Sequence, residues 1–440
     1  MPWIILISLI VLYVFMWNQT RDLMFPGCIF NLIWIFVSIL YIFNFGNLFE
    51  VQSITYICIY VGLMCVNLPY IFTANKYGIY YRQYPKMRCS YSISIGNTGI
   101  FLLFQIGLII AMIPFTIKMV SAGDALGLRR QIFATNYENI MSYTERLIYI
   151  YFGVFPGISA QVLISILILF KGNLSRGRKI LHTSLAIVLI ILRITSDGGR
   201  MIVVDTIVCV FLATCFTVEW KRNRTNRKKA KEQNVVKRRV KTLVILAAVA
   251  SVMITMSRSS GVVSPIDYSL RMVSRYFTIG PRLLEHAINQ PSTFGLDTWT
   301  WGGVFWGGIL EIPRSLLAII GIRLPSFFTI AQQEMGLYYP VGPGINSNAF
   351  PTMFYYFMKD MGFLGIILES LLFGLLSIRI YGKLSRCPSN TNIGFYYLVL
   401  IVMAYGMCWW PLYRPEYFSS LILFLLFTKA LGMRFVNEID

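Results

Sequence analysis

The chain has 440 residues, 56% of them hydrophobic and only 13% charged, with a net charge of +20. That balance excludes a soluble globular domain and points to a polytopic integral membrane protein. Two histidines, His182 and His286, and the lack of a CxxC pair argue against a protein-bound transition metal, so neither metal nor cofactor is expected.

A bilayer core of roughly 30 Å takes about 20 apolar residues per helix. Runs near that length recur along the chain, and eleven spans are expected: 3–17, 25–45, 54–72, 98–120, 147–170, 180–194, 201–218, 242–257, 362–381, 393–413 and 417–433. The expected fold class is therefore all-α, with about 11 transmembrane helices. The first run has little n-region charge and no small-residue cleavage site after it, so it is expected to be retained as a helix. Along the chain this gives residues 1–257 with eight spans, an external segment at 258–350, and residues 351–440 with three spans.

Lysine and arginine in the loops set the orientation. With the N-terminus external and the C-terminus cytoplasmic, the cytoplasmic connections hold Arg21, then Lys76, Arg82, Lys86 and Arg88, then Lys171, Arg176, Arg178 and Lys179, then residues 221–241. That last loop, KRNRTNRKKAKEQNVVKRRVK, carries eleven basic residues against one acid and no aromatic. It suits a solvated loop facing lipid headgroups, and no nucleic-acid partner is expected. Most cysteines fall inside apolar runs, so no disulfide framework is expected.

The runs 180–194 and 201–218 are separated only by TSDGGR. This hairpin delivers Arg193, Asp197 and Arg200 to the membrane surface opposite the basic loops. Arginine is costly there, and the Arg193 and Arg200 pair around a Gly-Gly turn suggests an anion to be gripped. Other roles stay open: Arg193 could snorkel to the interface, and Arg200 could cap turn carbonyls or pair with Asp197 or Asp205.

Residues 258–350 are too many for a mere connector. The stretch SPIDYSLRMVSRYFTIGPRLLEHAI has helical periodicity, with Leu270, Val273 and Phe277 apolar and Arg271 and Arg275 four apart. Gly280 and Pro281 break this helix, and Pro281 suits the first turn of a second, which places Arg282, Glu285 and His286 in its opening turns. WTWGGVFWGGIL at 299–310 reads as an interfacial or re-entrant piece at headgroup level. The segment closes with YYPVGPGINSNAFPTMFYYFMKDMGFLG, in which Asn348 and Asp360 supply polar groups and Gly362 starts the ninth membrane helix.

Taken together, the Gly198-Gly199-Arg200 turn, the large external segment, and an ending with Asn348, Phe350, Tyr356, Asp360, Gly362 and Gly365 resemble the O-antigen and capsule repeat-unit polymerases, the Wzy-type family. Met361 departs from the family's commonest form, in which an aromatic residue follows the aspartate. The resemblance implies a fold similar to GT-C-like multi-span lipid-sugar glycosyltransferases and O-antigen ligases, in a bacterial cytoplasmic (inner) membrane. It implies undecaprenyl-pyrophosphate-linked oligosaccharide as donor and acceptor, contact with membrane lipid, and a chain-length regulator as a further candidate partner.

In such a transfer a lipid pyrophosphate leaves, and stabilising it without nucleotide or metal requires preorganised cations. Arg193, Arg200, Arg275 and Arg282 are the candidates, with Asp197 beside the hairpin pair. Glu285 and His286 are candidate general bases. Asp360 is a third, which could instead cap the helix at Gly362. Tyr276, Asn348 and Tyr356 could hydrogen-bond or stack against sugars. An O-antigen ligase would use the same arginines, and a flippase or transporter would be expected to show repeated halves and midplane charges.

Overall fold

The computed structural model describes residues 1–83, 91–121, 143–197, 201–217, 271, 274–332, 338–347, 351–386 and 388–437. The long helices are α1 (Pro2–Thr20), α2 (Pro26–Ile42), α3 (Ser53–Gln83), α4 (Thr98–Ser121), α5 (Val154–Lys171), α6 (Arg176–Asp197) and α7 (Met201–Thr217). Three shorter helices follow, α8 (Gly280–Asn289), α9 (Gly307–Ile319) and α10 (Phe327–Gln332), and then α11 (Met353–Arg386), α12 (Asn390–Tyr405) and α13 (Pro415–Ala430). A π-helical turn at Leu147–Phe152 leads into α5. Strands among the described residues are short: β1 (Tyr91–Ser94) pairs with β4 (Arg434–Asn437), and β2 (Tyr339–Gly342) with β3 (Ile345–Ser347).

Among the described residues six helices are long and apolar enough to cross a membrane, and three shorter apolar ones accompany them. The protein is thus an all-α fold with membrane-spanning helices. Proline opens α1, α2, α8 and α13, where its missing N–H has no intrahelical partner to lose and its fixed φ suits the first turn. Each expected apolar run in the described residues overlaps a helix, though the run 393–413 is α-helical only to Tyr405. The eighth, 242–257, lies outside them.

The ninth run corrects an expectation. Its helix, α11, begins at Met353, and Gly362 breaks it instead of starting it: Met361 (φ −149°, ψ 31°) and Gly362 (φ 60°, ψ −144°) leave the helical region. A positive φ of this kind is ordinarily glycine's. Three residues on, Gly365 lies so close to the Phe357 carbonyl oxygen that a Cβ there would collide with it. The two halves of α11 meet at this break.

Packing divides the chain into two compact units. The first unit is 1–87, 259–386 and 399–415, and the second is 88–258, 387–398 and 416–440.

In the first unit α1, α2, α3 and α11 pack around buried aromatics that include Phe30, Trp34, Tyr70 and Phe354. At one end of this bundle Tyr381 on α11 donates to the Asp22 carboxylate at 2.5 Å, just after α1. At the other end the 43–52 loop between α2 and α3 meets α8 and β2: the Phe49 N–H donates to the Val341 carbonyl at 2.9 Å.

In the second unit α4 packs on α6, and α5 lies against α6 and α7. Here β1 runs antiparallel to β4, with Tyr91 opposite Asn437, and Ile93 bridges to Gly172 just after α5. Asn390, at the start of α12, donates to the Met433 carbonyl at 3.0 Å. The segments after α3, α5 and α13 and before α12 therefore share one end of that unit.

Candidate functional site

Helix α8 positions the densest group of sequence-selected residues. Leu283, Leu284 and Ala287 face the interior, and Pro281 sits in the first turn as expected. Arg282 and Glu285, three apart, fall on neighbouring positions of one face, and the guanidinium Nη1 reaches the carboxylate Oε1 at 2.5 Å. The second oxygen, Oε2, accepts the Gln52 N–H at 3.0 Å, so a buried carboxylate has both oxygens engaged. Arg282 also donates to the Glu50 carbonyl at 3.4 Å and lies 5.6 Å from the Phe49 ring centroid, a cation–π geometry.

Two more of the expected residues join this patch. Arg275 Nε donates to the Gly46 carbonyl at 3.0 Å. His286 Nε2 lies 2.9 Å from the Pro340 carbonyl in β2. A carbonyl oxygen only accepts, so Nε2 is the donor, and the neutral ring keeps Nδ1 as an acceptor. Beside the 43–52 loop a cavity of about 390 Å³ opens between Trp3, Tyr41, Asn44, Phe49, Glu50 and Tyr56. Arg275, Arg282 and Glu285 thus gather on a loop to which the sequence reading gave no role, and His286 against the β2 strand that this loop contacts. The signal for it was the polar run Asn44, Asn47, Glu50 and Gln52 joining two apolar helices on the expected external side.

Asp360 forms a second centre in the same unit. It is fully buried, and its carboxylate accepts the Val304 N–H at 2.9 Å, the Phe305 N–H at 2.7 Å and the Thr300 hydroxyl. Its own carbonyl accepts the Trp301 N–H at 3.1 Å. On the other flank Trp410 Nε1 donates to the Phe305 carbonyl at 2.9 Å and stacks on the Phe305 ring. Asp360 therefore does cap amides, but those of the turn leading into α9, not those of its own helix at Gly362. Lys359, also buried, donates to the Phe294 carbonyl at 3.2 Å, and the buried Glu369 carboxyl is the acidic neighbour of Asp360.

Tyr356 is buried and stacked on Tyr413, with ring centroids 4.8 Å apart. Tyr276 is half-buried, and its carbonyl accepts from Cys408 Sγ at 3.2 Å.

In the second unit Arg193 is 5% exposed and sits inside the helical packing, not at the surface. Its Nη1 donates to Ser159 Oγ at 2.8 Å and lies 3.8 Å from Asp205 Oδ2, and its guanidinium covers the Phe155 ring. Asp205, weighed from sequence as a partner for Arg200, is thus near Arg193. Paired opposite charges on consecutive apolar helices were the signal for it. Asp197 closes α6, and its side chain, Arg200 and Asn348 lie outside the described residues. Among the described residues no group of three or more His, Cys, Asp or Glu could hold a metal ion.

No protein-family model, curated protein or solved structure matches the chain.

Proposed function

We propose that this protein is a polysaccharide polymerase, a glycosyltransferase that joins undecaprenyl-pyrophosphate-linked oligosaccharide repeat units at the external face of the bacterial cytoplasmic membrane. The product is an O-antigen or capsule chain, and the fold is an eleven-span, GT-C-like architecture related to O-antigen ligases, with its N-terminus external and its C-terminus cytoplasmic. The observation that carries this proposal is the gathering of Arg275, Arg282 and Glu285 on the 43–52 loop, with His286 beside them against β2, which that loop also contacts. Loop charge alone assigns that loop and the 258–350 segment to the same side, and they touch. The segments meeting at the β1–β4 end of the second unit are likewise all assigned to the cytoplasmic side.

The chemistry follows from the groups present. A sugar hydroxyl of the acceptor attacks the anomeric carbon of the donor, the carbon–oxygen bond to pyrophosphate breaks, and the lipid pyrophosphate leaves. Guanidinium forks such as those of Arg275 and Arg282 match its oxygens, and fixed cations cost no reorganisation at the moment of transfer. Arg193 and Arg200 remain candidates from the hairpin. The hydroxyl proton needs an acceptor, and His286 is the best placed of the three expected bases, because Glu285 and Asp360 already have both carboxylate oxygens engaged.

The test is incubation of the purified protein in lipid with one synthetic undecaprenyl-pyrophosphate repeat unit, followed by product sizing. A ladder of chain lengths with released carrier is expected. Transfer only after a lipid-core acceptor is added would make the protein a ligase, and no product in either case would overturn the glycosyltransferase proposal. Arg200→Lys, which keeps the charge and removes the fork, is expected to lose most of the polymer at unchanged protein level.

A further inference from the structure

Helix α9 is inside out. Its buried positions are Gly307, Gly308, Glu311 and Ser315, small or polar residues, whereas Ile309, Leu310, Leu316 and Ile319 face outward. An amphipathic helix on a water-facing domain has the reverse arrangement. The buried acid is satisfied: Glu311 is bridged by Arg314 and accepts from the Ser326 hydroxyl at 3.0 Å. The inversion is therefore built into the packing: a Cβ added to Gly308 would stand 2.5 Å from the Leu412 and Arg414 carbonyl oxygens, closer than any side chain would allow.

The apolar surface continues past both ends of the helix. Trp301 is 72% exposed before it and Ile320 69% exposed after it, with Ile322 and Leu324 beyond. Thirteen residues at about 1.5 Å each reach only about 20 Å, too short for a bilayer core of roughly 30 Å. Both ends also carry residue types that settle at headgroup level, Trp299 and Trp301 on one side and the exposed Arg323 on the other. Anchors at both ends hold a helix along the membrane plane.

We propose that residues 299–324 dock on the lipid bilayer as an in-plane segment, with the outward face of α9 against acyl chains and Arg323 at the lipid phosphates. The commitment to lipid rests on the inverted helix, the paired anchors and the membrane-spanning helices of the same chain. It extends the interfacial role expected for 299–310 to the whole of α9 and the turn after it. It does not depend on what reaction the protein catalyses.

The experiment places photoreactive p-benzoylphenylalanine at Ile320, at Ile309, or at the exposed polar Asn346 in β3 of the full-length protein. Each variant is reconstituted in phosphatidylethanolamine and phosphatidylglycerol vesicles with tritiated acyl chains. Irradiation is expected to attach labelled lipid at 320 and 309 and not at 346. No lipid adduct at 320 and 309, equal labelling at all three positions, or crosslinking of 320 to a second copy of the chain would each overturn the proposal.

Discussion

The Asp360 carboxylate lies 2.7 Å from the backbone nitrogen of Phe305, fifty-five residues earlier in the chain, and holds the turn that enters α9. A charged acceptor for two buried N–H groups is worth more than a neutral hydrogen bond, and removing it leaves both donors unpaired. Asp360→Asn keeps one acceptor and turns an amide toward the second N–H. The expected cost is about 1–3 kcal/mol, read as a lower Tm in detergent, with activity per folded molecule falling only as the turn loosens. An unchanged Tm with turnover abolished would instead put Asp360 in the chemistry.

The break in α11 is equally specific. Gly365→Ala drives a methyl group into the Phe357 carbonyl, and Gly362→Ala places a Cβ on a residue at φ 60°. The first is expected to cost about 1–3 kcal/mol by overpacking and the second about 1–3 kcal/mol, because a positive φ with ψ near −144° is a backbone conformation that is essentially glycine's. Thermal unfolding of the two variants in the same lipid mixture checks both. Wild-type stability in each would show that the two halves of α11 can straighten.

Arg282→Lys tests the fork. Nη1 alone makes the contacts to the Glu285 carboxylate and the Glu50 carbonyl, which an ammonium with three N–H donors can replace, but an ammonium has no flat edge to present to pyrophosphate. Polymer formation is expected to slow by about tenfold or more, equivalent to about 1.4 kcal/mol of transition-state stabilisation, with little change in Tm because the ammonium keeps a charged partner beside the Glu285 carboxylate. Equal rates would restrict Arg282 to holding the 43–52 loop.

His286→Ala is expected to lower kcat by about 10² to 10⁴, the usual span for loss of a general base, with KM nearly unchanged. Added imidazole should restore part of the rate. Normal turnover in this variant would move the proton acceptor to another group.

Arg193 and Asp205 form a pair that is costly to break singly. Arg193→Met leaves a buried carboxylate without its partner, and the expected loss is about 3–5 kcal/mol. The double variant Arg193→Met, Asp205→Leu should recover most of it, because two buried charges are replaced by apolar side chains. If Arg193→Met were as stable as the wild type and yet made no polymer, the arginine would be a substrate ligand and not a packing element.

How far the sequence carried depends on range. Local signals worked: the helix expected at 98–120 is Thr98–Ser121, and Pro281 opens α8 where its fixed φ suggested. The start of α11 was missed because Lys359 and Asp360 interrupt the apolar run, and charges there read as water-facing until their buried partners are seen. Contacts such as Glu285 with Gln52, or Arg275 with Gly46, join residues more than two hundred positions apart, and hydrophobic periodicity holds no information about such pairs. Arg193 was legible as a costly residue, but its neighbour was not, because Asp205 stands twelve positions away on the next helix and from sequence had been weighed only for Arg200.

The antiparallel pair of β1 with β4 sets an order of events during synthesis. Tyr91 finds its partner only once Asn437 has been made, about 340 residues later, and at roughly 5–20 residues per second the first strand waits on the order of twenty seconds to a minute. For that interval its edge is an open template. The four-residue length of β1 limits what else can pair with it before the rightful strand emerges.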